Sequence, residues 1–133
     1  MNWPLPYRRG TILVPSGPAH DPDKKHLFIV LTDPCPTAGD VLMVNVSSVR
    51  PGHDTACQLF VGDHPFIKRD SFIEYALARI ELAQKIQNGV TNGALAPRAD
   101  LDKAIFARVC HGLTVSRFVK PRVVAYYRAR TGL

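Results

Sequence analysis

Long hydrophobic runs and paired cysteines are both missing from this chain of 133 residues. No apolar stretch approaches the roughly 20 residues that span a bilayer, so we expect no membrane contact. No apolar stretch follows Arg8 and Arg9 near the N-terminus, and this does not fit a signal peptide. The three cysteines are an odd number without Cys-x-x-Cys spacing, which disfavours a disulfide framework. We therefore expect reduced thiols and a cytoplasmic location.

An excess of charge of one sign is also missing from most of the chain. Residues 1–80 hold eight basic and eight acidic side chains, whereas residues 99–133 hold seven basic and two acidic ones. Most of the net charge of +6 therefore lies in the C-terminal third. A local surplus of cations favours a polyanionic partner, either a nucleic acid or an acidic protein. The alternative is that these basic side chains form a solvated helical face, which would have the same excess of basic residues.

The first part of the chain has the pattern of short strands. Its β-forming residues fall into five runs separated by Gly- and Pro-rich turns, at 11–14, 26–32, 41–48, 57–61 and 71–75. Such strands predict a small, strongly bent antiparallel barrel. After residue 80 the apolar spacing becomes helical and predicts three helices, the second ending at Gly112. The predicted fold class is α+β, with a barrel over residues 1–80 and a helical C-terminal extension over residues 81–133 packed on it.

The densest polar segment lies between residues 59 and 71. Gly62 and Pro65 restrict the backbone, which predicts that Asp63 and His64 are held in a defined turn. Histidine side chains titrate near neutral pH, so His64 is a candidate for proton transfer. The alternative is that Asp63 only closes the turn while His64 packs over Phe66.

The order of strands and loops resembles that of the PemK/MazF-type toxins of toxin–antitoxin systems. The resemblance lies in Gly10-x-Ile12, a long polar loop, a basic residue opening an all-apolar strand, and a third strand ending in Ser47-Ser48. It covers roughly residues 8–80 and implies a small SH3-like barrel. It further implies RNA as ligand, metal-independent endoribonuclease activity, an acidic antitoxin as partner and a homodimer.

The resemblance also implies a site. Family members place a basic side chain at the end of the first loop, usually in an Arg-Pro pair, and a hydroxyl after the third strand. Here Lys24-Lys25 and Ser48 hold these positions. We expect Lys25 and Ser48 to act with His64 and Lys68 as a catalytic, phosphate-facing cluster, because a lysine neutralises phosphate as a point charge. The candidate nucleic-acid contacts are Lys24, Arg69, Arg117, Lys120 and Arg122.

Other chemistry has less support in the sequence. We expect His26 to cap a buried strand, and His20 and His53 to be exposed loop residues. The Cys, His and Asp residues lack the short paired spacing of metal ligands, and no nucleotide-binding motif is present, so we expect neither metal nor cofactor. Two other functions stay open: a non-catalytic barrel that binds a partner protein, and a DNA-associated protein that uses the basic helices.

Overall fold

The computed structural model describes residues 6–15 and 24–132, which form a six-stranded sheet and three helices. The predicted α+β class is confirmed. His20 lies outside the described residues. No helix in these two ranges is both long and apolar enough to cross a membrane. The elements in chain order are β1 (Thr11–Pro15), β2 (Lys25–Val30), β3 (Asp40–Ser48), β4 (Gln58–Leu59), β5 (Ser71–Leu82), α1 (Ala83–Thr91), β6 (Ala96–Arg98), α2 (Lys103–Val115) and α3 (Pro121–Thr131).

The strands form one antiparallel sheet in the order β4-β5-β3-β2-β1-β6. The sheet is curled into a half-barrel whose edges, within the described part of the chain, are β4 and β6. A register shift between Met43 and Asn45 interrupts the pairing of β3 with β5 and bends both strands there.

β6 was not predicted from the sequence. It consists of Ala96, Pro97 and Arg98, which are not strand-forming residues. It pairs with β1 at the edge of the sheet, where a proline is tolerated because its missing N–H is not needed by a further strand. The segment after residue 80 therefore adds a strand to the sheet as well as the predicted helices.

The sheet buries apolar side chains on both faces. One set, including Leu27, Ile29 and Val44, packs against residues of α2 and α3 such as Leu113 and Val123. The opposite set consists of side chains that alternate with these and packs against α1. It comprises Ile12, Phe28, Val30, Val41 and Met43 of the sheet with Ala83 and Ile86 of α1.

The prediction that Gly112 ends the second helix is wrong, because α2 continues to Val115. Gly112 is buried against β5, and a Cβ atom at this position would lie 2.9 Å from Cys57 Cβ and would overlap the Tyr75 hydroxyl. That hydroxyl donates a hydrogen bond of 2.5 Å to the carbonyl oxygen of Val109 in the same helix. The glycine therefore allows α2 to lie close to the sheet rather than marking its end.

We predict that Gly112→Ala destabilises the protein. The added methyl group has no space between α2 and β5, and overpacking of this kind costs about 1–3 kcal/mol. Chemical denaturation should show the loss in the free energy of unfolding. Thr114→Ala, an exposed position on the same helix, is the control and should change it by less than about 0.5 kcal/mol. Equal stability of the two variants would show that Gly112 is not needed for packing.

Candidate nucleic-acid interface

A groove of about 680 Å³ opens at one end of the sheet. Antiparallel pairing brings the start of β2, the end of β3 and the start of β5 to this end. Three segments form the walls of the groove together with Glu74 of β5. They lie within residues 24–27, 46–50 and 66–71. Each of these segments contains candidate site residues predicted from the sequence.

Five of the candidate residues line this groove together: Lys24, Lys25, Ser48, Lys68 and Arg69. All five are exposed to solvent. Arg50, which the sequence analysis did not select, adds a further cation. Among the described residues that line the groove there are thus five lysine or arginine side chains and one carboxylate, that of Glu74.

The other candidate residues lie elsewhere. Arg117 is in the turn between α2 and α3, Lys120 is the N-cap of α3, and Arg122 is in its first turn. None of these three lines the groove. Their turn is held by Ser116 Oγ, which donates a hydrogen bond of 2.6 Å to Asp54 Oδ2.

His64 also lies outside the groove lining, with only 4% of its surface exposed. Its Nδ1 accepts a hydrogen bond of 3.0 Å from the backbone N–H of Phe66, so the proton is assigned to Nε2. Nε2 is 2.7 Å from the carbonyl oxygen of Ala99 and 3.2 Å from Thr11 Oγ1. Both ring nitrogens are therefore engaged: Nδ1 bonds within the polar segment, and Nε2 joins this segment to β1 and to the loop after β6.

The polar segment forms the predicted turn. Ile67 N–H donates to the carbonyl oxygen of His64 at 2.9 Å, closing a turn with Pro65 at its second position. Asp63 Oδ2 accepts from the backbone N–H of Phe60 at 2.8 Å, the turn-closing role given above as an alternative. Ile67 is buried in the core, and the exposed Lys68 and Arg69 that follow it line the groove. His64 thus anchors the segment that carries Lys68 and Arg69.

A hydrogen-bonded network around Glu74 contributes Ser47, Arg50 and Glu74 to the groove lining. Ser47 Oγ donates to Glu74 Oε1 at 2.9 Å, and Arg50 forms an ion pair with the other carboxylate oxygen. Asn45 Nδ2 donates to Ser47 Oγ at 3.3 Å. Burial alone would raise the pKa of Glu74, but the hydrogen bonds from Arg50 and Ser47 hold the pKa below its ordinary value. Glu74 is consequently ionised at neutral pH.

His26 is half-buried and lines the groove beside this network. Partial burial and the positive charge of Lys24 lower the pKa of His26 below the ordinary 6.5, while the charge of Glu74 acts in the opposite direction. The imidazole is therefore mostly neutral at neutral pH. The sequence predicts only a strand-capping role for His26, whereas the structure places it at the second residue of β2 within the groove lining.

Arg50 and Glu74 were missed by sequence reasoning, although Glu74 carried a signal. It is the one charged residue in the otherwise apolar or small run Ser71–Ala78. A carboxylate in the interior of a strand is seldom placed there without a partner, because its desolvation must be offset. The partner itself, Arg50, could be found only from the sheet register.

A second cleft, of about 560 Å³, lies where α3 meets the loop after β2 and is lined by Arg8, Cys35, Cys110 and Arg130 among others. Cys35 Sγ contacts Arg130 and lies 3.4 Å from Thr37 Oγ1. The hydrogen bonds from Thr37 and from the backbone of Ala38 lower the pKa of Cys35 to about 7. This arrangement ties the end of α3 to the sheet and shares no lining residue with the groove.

No protein-family model matches this chain, and a search of curated proteins finds no match. Within residues 6–15 and 24–132, no three His, Cys, Asp or Glu side chains are grouped so that they could hold a metal ion. The function must therefore be argued from the chemistry of the groove.

We predict that His64→Ala lowers the stability of the fold. The change removes the hydrogen bonds that the imidazole makes with the N–H of Phe66 and the carbonyl oxygen of Ala99, and each such bond contributes about 0.5–1.5 kcal/mol. Denaturation monitored by circular dichroism should show a lower free energy of unfolding. His111→Ala, at an exposed position of α2, is the control and should leave stability unchanged. Unchanged stability of His64→Ala would contradict the anchoring role and favour the predicted catalytic one.

Proposed function

We propose that this protein binds single-stranded RNA along the groove, as a toxin-like protein of the PemK/MazF type with an SH3-like barrel. The observation that carries the proposal is the meeting of cations from three separate segments at one concave site, among them Lys25, Arg50 and Lys68. Phosphates neutralised by such cations supply most of the affinity of a protein for nucleic acid. RNA as ligand agrees with the cytoplasmic location expected from the unpaired cysteines.

An exposed aromatic ring in the wall favours a single strand over a duplex. Phe66 lines the groove and retains 37% of its surface exposed. Unpaired bases can stack on an aromatic face, whereas the bases of a duplex are already stacked on each other. Arg69, in the same wall, offers a planar cation that can contact a phosphate or a base.

The family resemblance supports the same site. It implied a basic residue after the first loop and a hydroxyl after the third strand, and Lys25 and Ser48 line one groove. The resemblance also implies a homodimer and an acidic antitoxin. An acidic protein segment would be attracted by the same cations that attract RNA.

The alternative is a non-catalytic module that binds a partner protein. It is favoured by Val49 and Phe66, two exposed apolar side chains within the groove lining, with 42% and 37% of their surfaces accessible. Apolar contacts next to cations suit an acidic peptide with hydrophobic side chains. Competition between such a peptide and RNA for the intact protein separates the two functions.

We predict that Lys25→Ala and Lys68→Ala each weaken RNA binding. Fluorescence anisotropy of a labelled single-stranded oligoribonucleotide, measured over a range of salt concentrations, is the assay. Each variant should bind more weakly and should reduce the slope of log K against log salt by about 0.7, the value for one lost phosphate contact on a single strand. Lys103→Ala, an exposed lysine on α2 outside the groove, is the matched control and should bind as the native chain does.

Three results would contradict the proposal. Equal RNA affinity of the groove variants and the Lys103→Ala control would remove the groove as the binding site. If Arg117→Ala and Arg122→Ala weakened binding instead, the interface would lie on the turn between α2 and α3. Tight binding of an acidic peptide without measurable RNA binding would select the protein-binding alternative.

A further inference from the structure

We propose that single-stranded RNA bound in the groove continues across the loop between β3 and β4 to the turn between α2 and α3, where an unpaired base stacks on Phe118. The inference rests on the proposed function, because it assumes that RNA occupies the groove. It adds a second contact surface and a length of RNA needed to reach it. This surface, called the turn patch below, consists of Arg117, Phe118, Lys120 and Arg122.

The turn patch lies in a part of the chain that has no acidic residue. Residues 103–133 contain seven lysine or arginine residues and neither aspartate nor glutamate. Three of the seven, Arg117, Lys120 and Arg122, are exposed to solvent and lie close together in the sequence. A polyanion that approaches them is therefore not repelled by a carboxylate of the same segment.

These three cations have no counter-ion among the residues that the structure describes. Within 6–15 and 24–132, Arg117, Lys120 and Arg122 form no ion pair, and their side chains make no hydrogen bond. By contrast, Arg108 and Arg130 of the same segment make contacts that hold the fold together. The charges of the turn patch have no such structural task and are available to a ligand.

An exposed aromatic ring lies between these cations in the sequence. Phe118 has 53% of its surface exposed. Ser116 Oγ accepts hydrogen bonds from the backbone N–H groups of Phe118 and Val119, at 3.1 and 3.2 Å, and these bonds fix the backbone that carries the ring. Aromatic rings beside lysine and arginine side chains bind single strands, because bases stack on the ring while the cations contact the phosphates.

The loop of residues 49–57 joins the groove to the turn patch. Val49 and Arg50 at its start line the groove. Asp54, further along the loop, accepts a hydrogen bond of 2.6 Å from Ser116 Oγ and one of 2.9 Å from the N–H of Ala56. Asp54 is the one acidic residue of the loop, and it is buried. A strand that crosses this loop therefore meets no exposed carboxylate of the loop.

The geometry of the loop limits the separation of the two surfaces. The N–H of His53 donates a hydrogen bond of 3.2 Å to the carbonyl oxygen of Arg50, which closes a β-turn. The ends of a β-turn are less than about 7 Å apart, and the remaining path through Asp54 to Ser116 adds about 13 Å. The Cα atoms of Arg50 and Ser116 thus lie within about 20 Å of each other. A strand with a rise of about 3.4 Å per nucleotide covers this span with about six nucleotides.

A flexible single strand suits this arrangement better than an anionic membrane does. A flat lipid surface can contact the turn patch but does not enter a concave groove. A single strand follows a groove and then bends over its wall, with a base available for each aromatic ring that it meets. Binding to lipid vesicles is therefore the competing outcome of the test.

The test compares single-stranded oligoribonucleotides of about 4 and about 16 nucleotides, bound to the full chain and measured by fluorescence anisotropy. The shorter RNA fits the groove alone, whereas the longer one also reaches the turn patch. Phe118→Ala should weaken binding of the longer RNA by about fivefold or more, the loss expected for one stacked base, and leave binding of the shorter RNA unchanged. Phe118→Tyr keeps an aromatic face and should bind both RNAs as the native chain does.

The dependence of binding on salt separates the cations from the ring. Arg117→Ala and Arg122→Ala should each weaken binding of the longer RNA and reduce its slope of log K against log salt by about 0.7. Phe118→Ala removes no charge and should leave the slope unchanged. Arg128→Ala, an exposed cation in the last turn of α3, is the matched control and should bind both RNAs as the native chain does. Lys25→Ala in the groove should weaken the binding of both.

The outcomes separate this inference from the proposed function. Native-like binding of the longer RNA by Phe118→Ala and Arg122→Ala would overturn the inference and leave the groove as the binding site. Absence of binding to either RNA would overturn both. If the same two variants lost binding to phosphatidylserine vesicles but kept the longer RNA, the turn patch would be a membrane contact, and the inference would be overturned.

Discussion

The antiparallel pairing of β2, β3 and β5 is the constraint on which the groove depends. Lys25 and Lys68 are far apart in sequence, and they share a groove because the start of β2, the end of β3 and the start of β5 meet at one end of the sheet. The register of the strand pairing matters as much as its antiparallel direction. A slip of one residue in β5 would turn Glu74 to the opposite face, where it would enter the core beside Val46 without Ser47 or Arg50 to offset its desolvation.

The short length of α1 explains why this end of the sheet is polar. α1 has nine residues and is therefore about 14 Å long. It buries Ile12, Phe28 and Met43, but not the part of the same face where β2 begins and β3 ends. A strand residue on an uncovered face remains near water, so His26 and Ser47 need no apolar neighbour there. No residue of α1 lines the groove, and the described part of the groove lining shares no residue with the apolar cluster that α1 covers.

The strands could be predicted from the sequence because they depend on local signals, whereas a shared site for the three segments was expected only from the family resemblance. Gly- and Pro-rich turns delimit β1, β2 and β3, and Lys25, Ser48 and Lys68 lie beside such turns. Sequence reasoning did not find β6, whose Ala-Pro-Arg sequence forms a strand only because β1 offers an unpaired edge. It also favoured His64 over His26, although the local sequence does not show which of the two rings lines the groove. Tertiary contacts make the difference: the His64 ring is enclosed by Thr11 and Ala99, whereas His26 faces the groove.

Net charge along the sequence proved a poor guide to charge in space. Residues 1–80 are neutral in sum, yet they supply every cation of the groove among the described residues. Several acids of this part are engaged elsewhere in the structure: Asp33 with Arg8, Asp40 with Tyr126, Asp54 with Ser116, and Asp63 with Arg108. Conversely, part of the C-terminal surplus serves the fold, since Arg108 bonds the carbonyl oxygen of Gln58 and Arg130 contacts Cys35. The groove is positive because these acidic side chains make structural contacts elsewhere in the molecule. Residues 1–80 contain no excess of basic residues that could explain it.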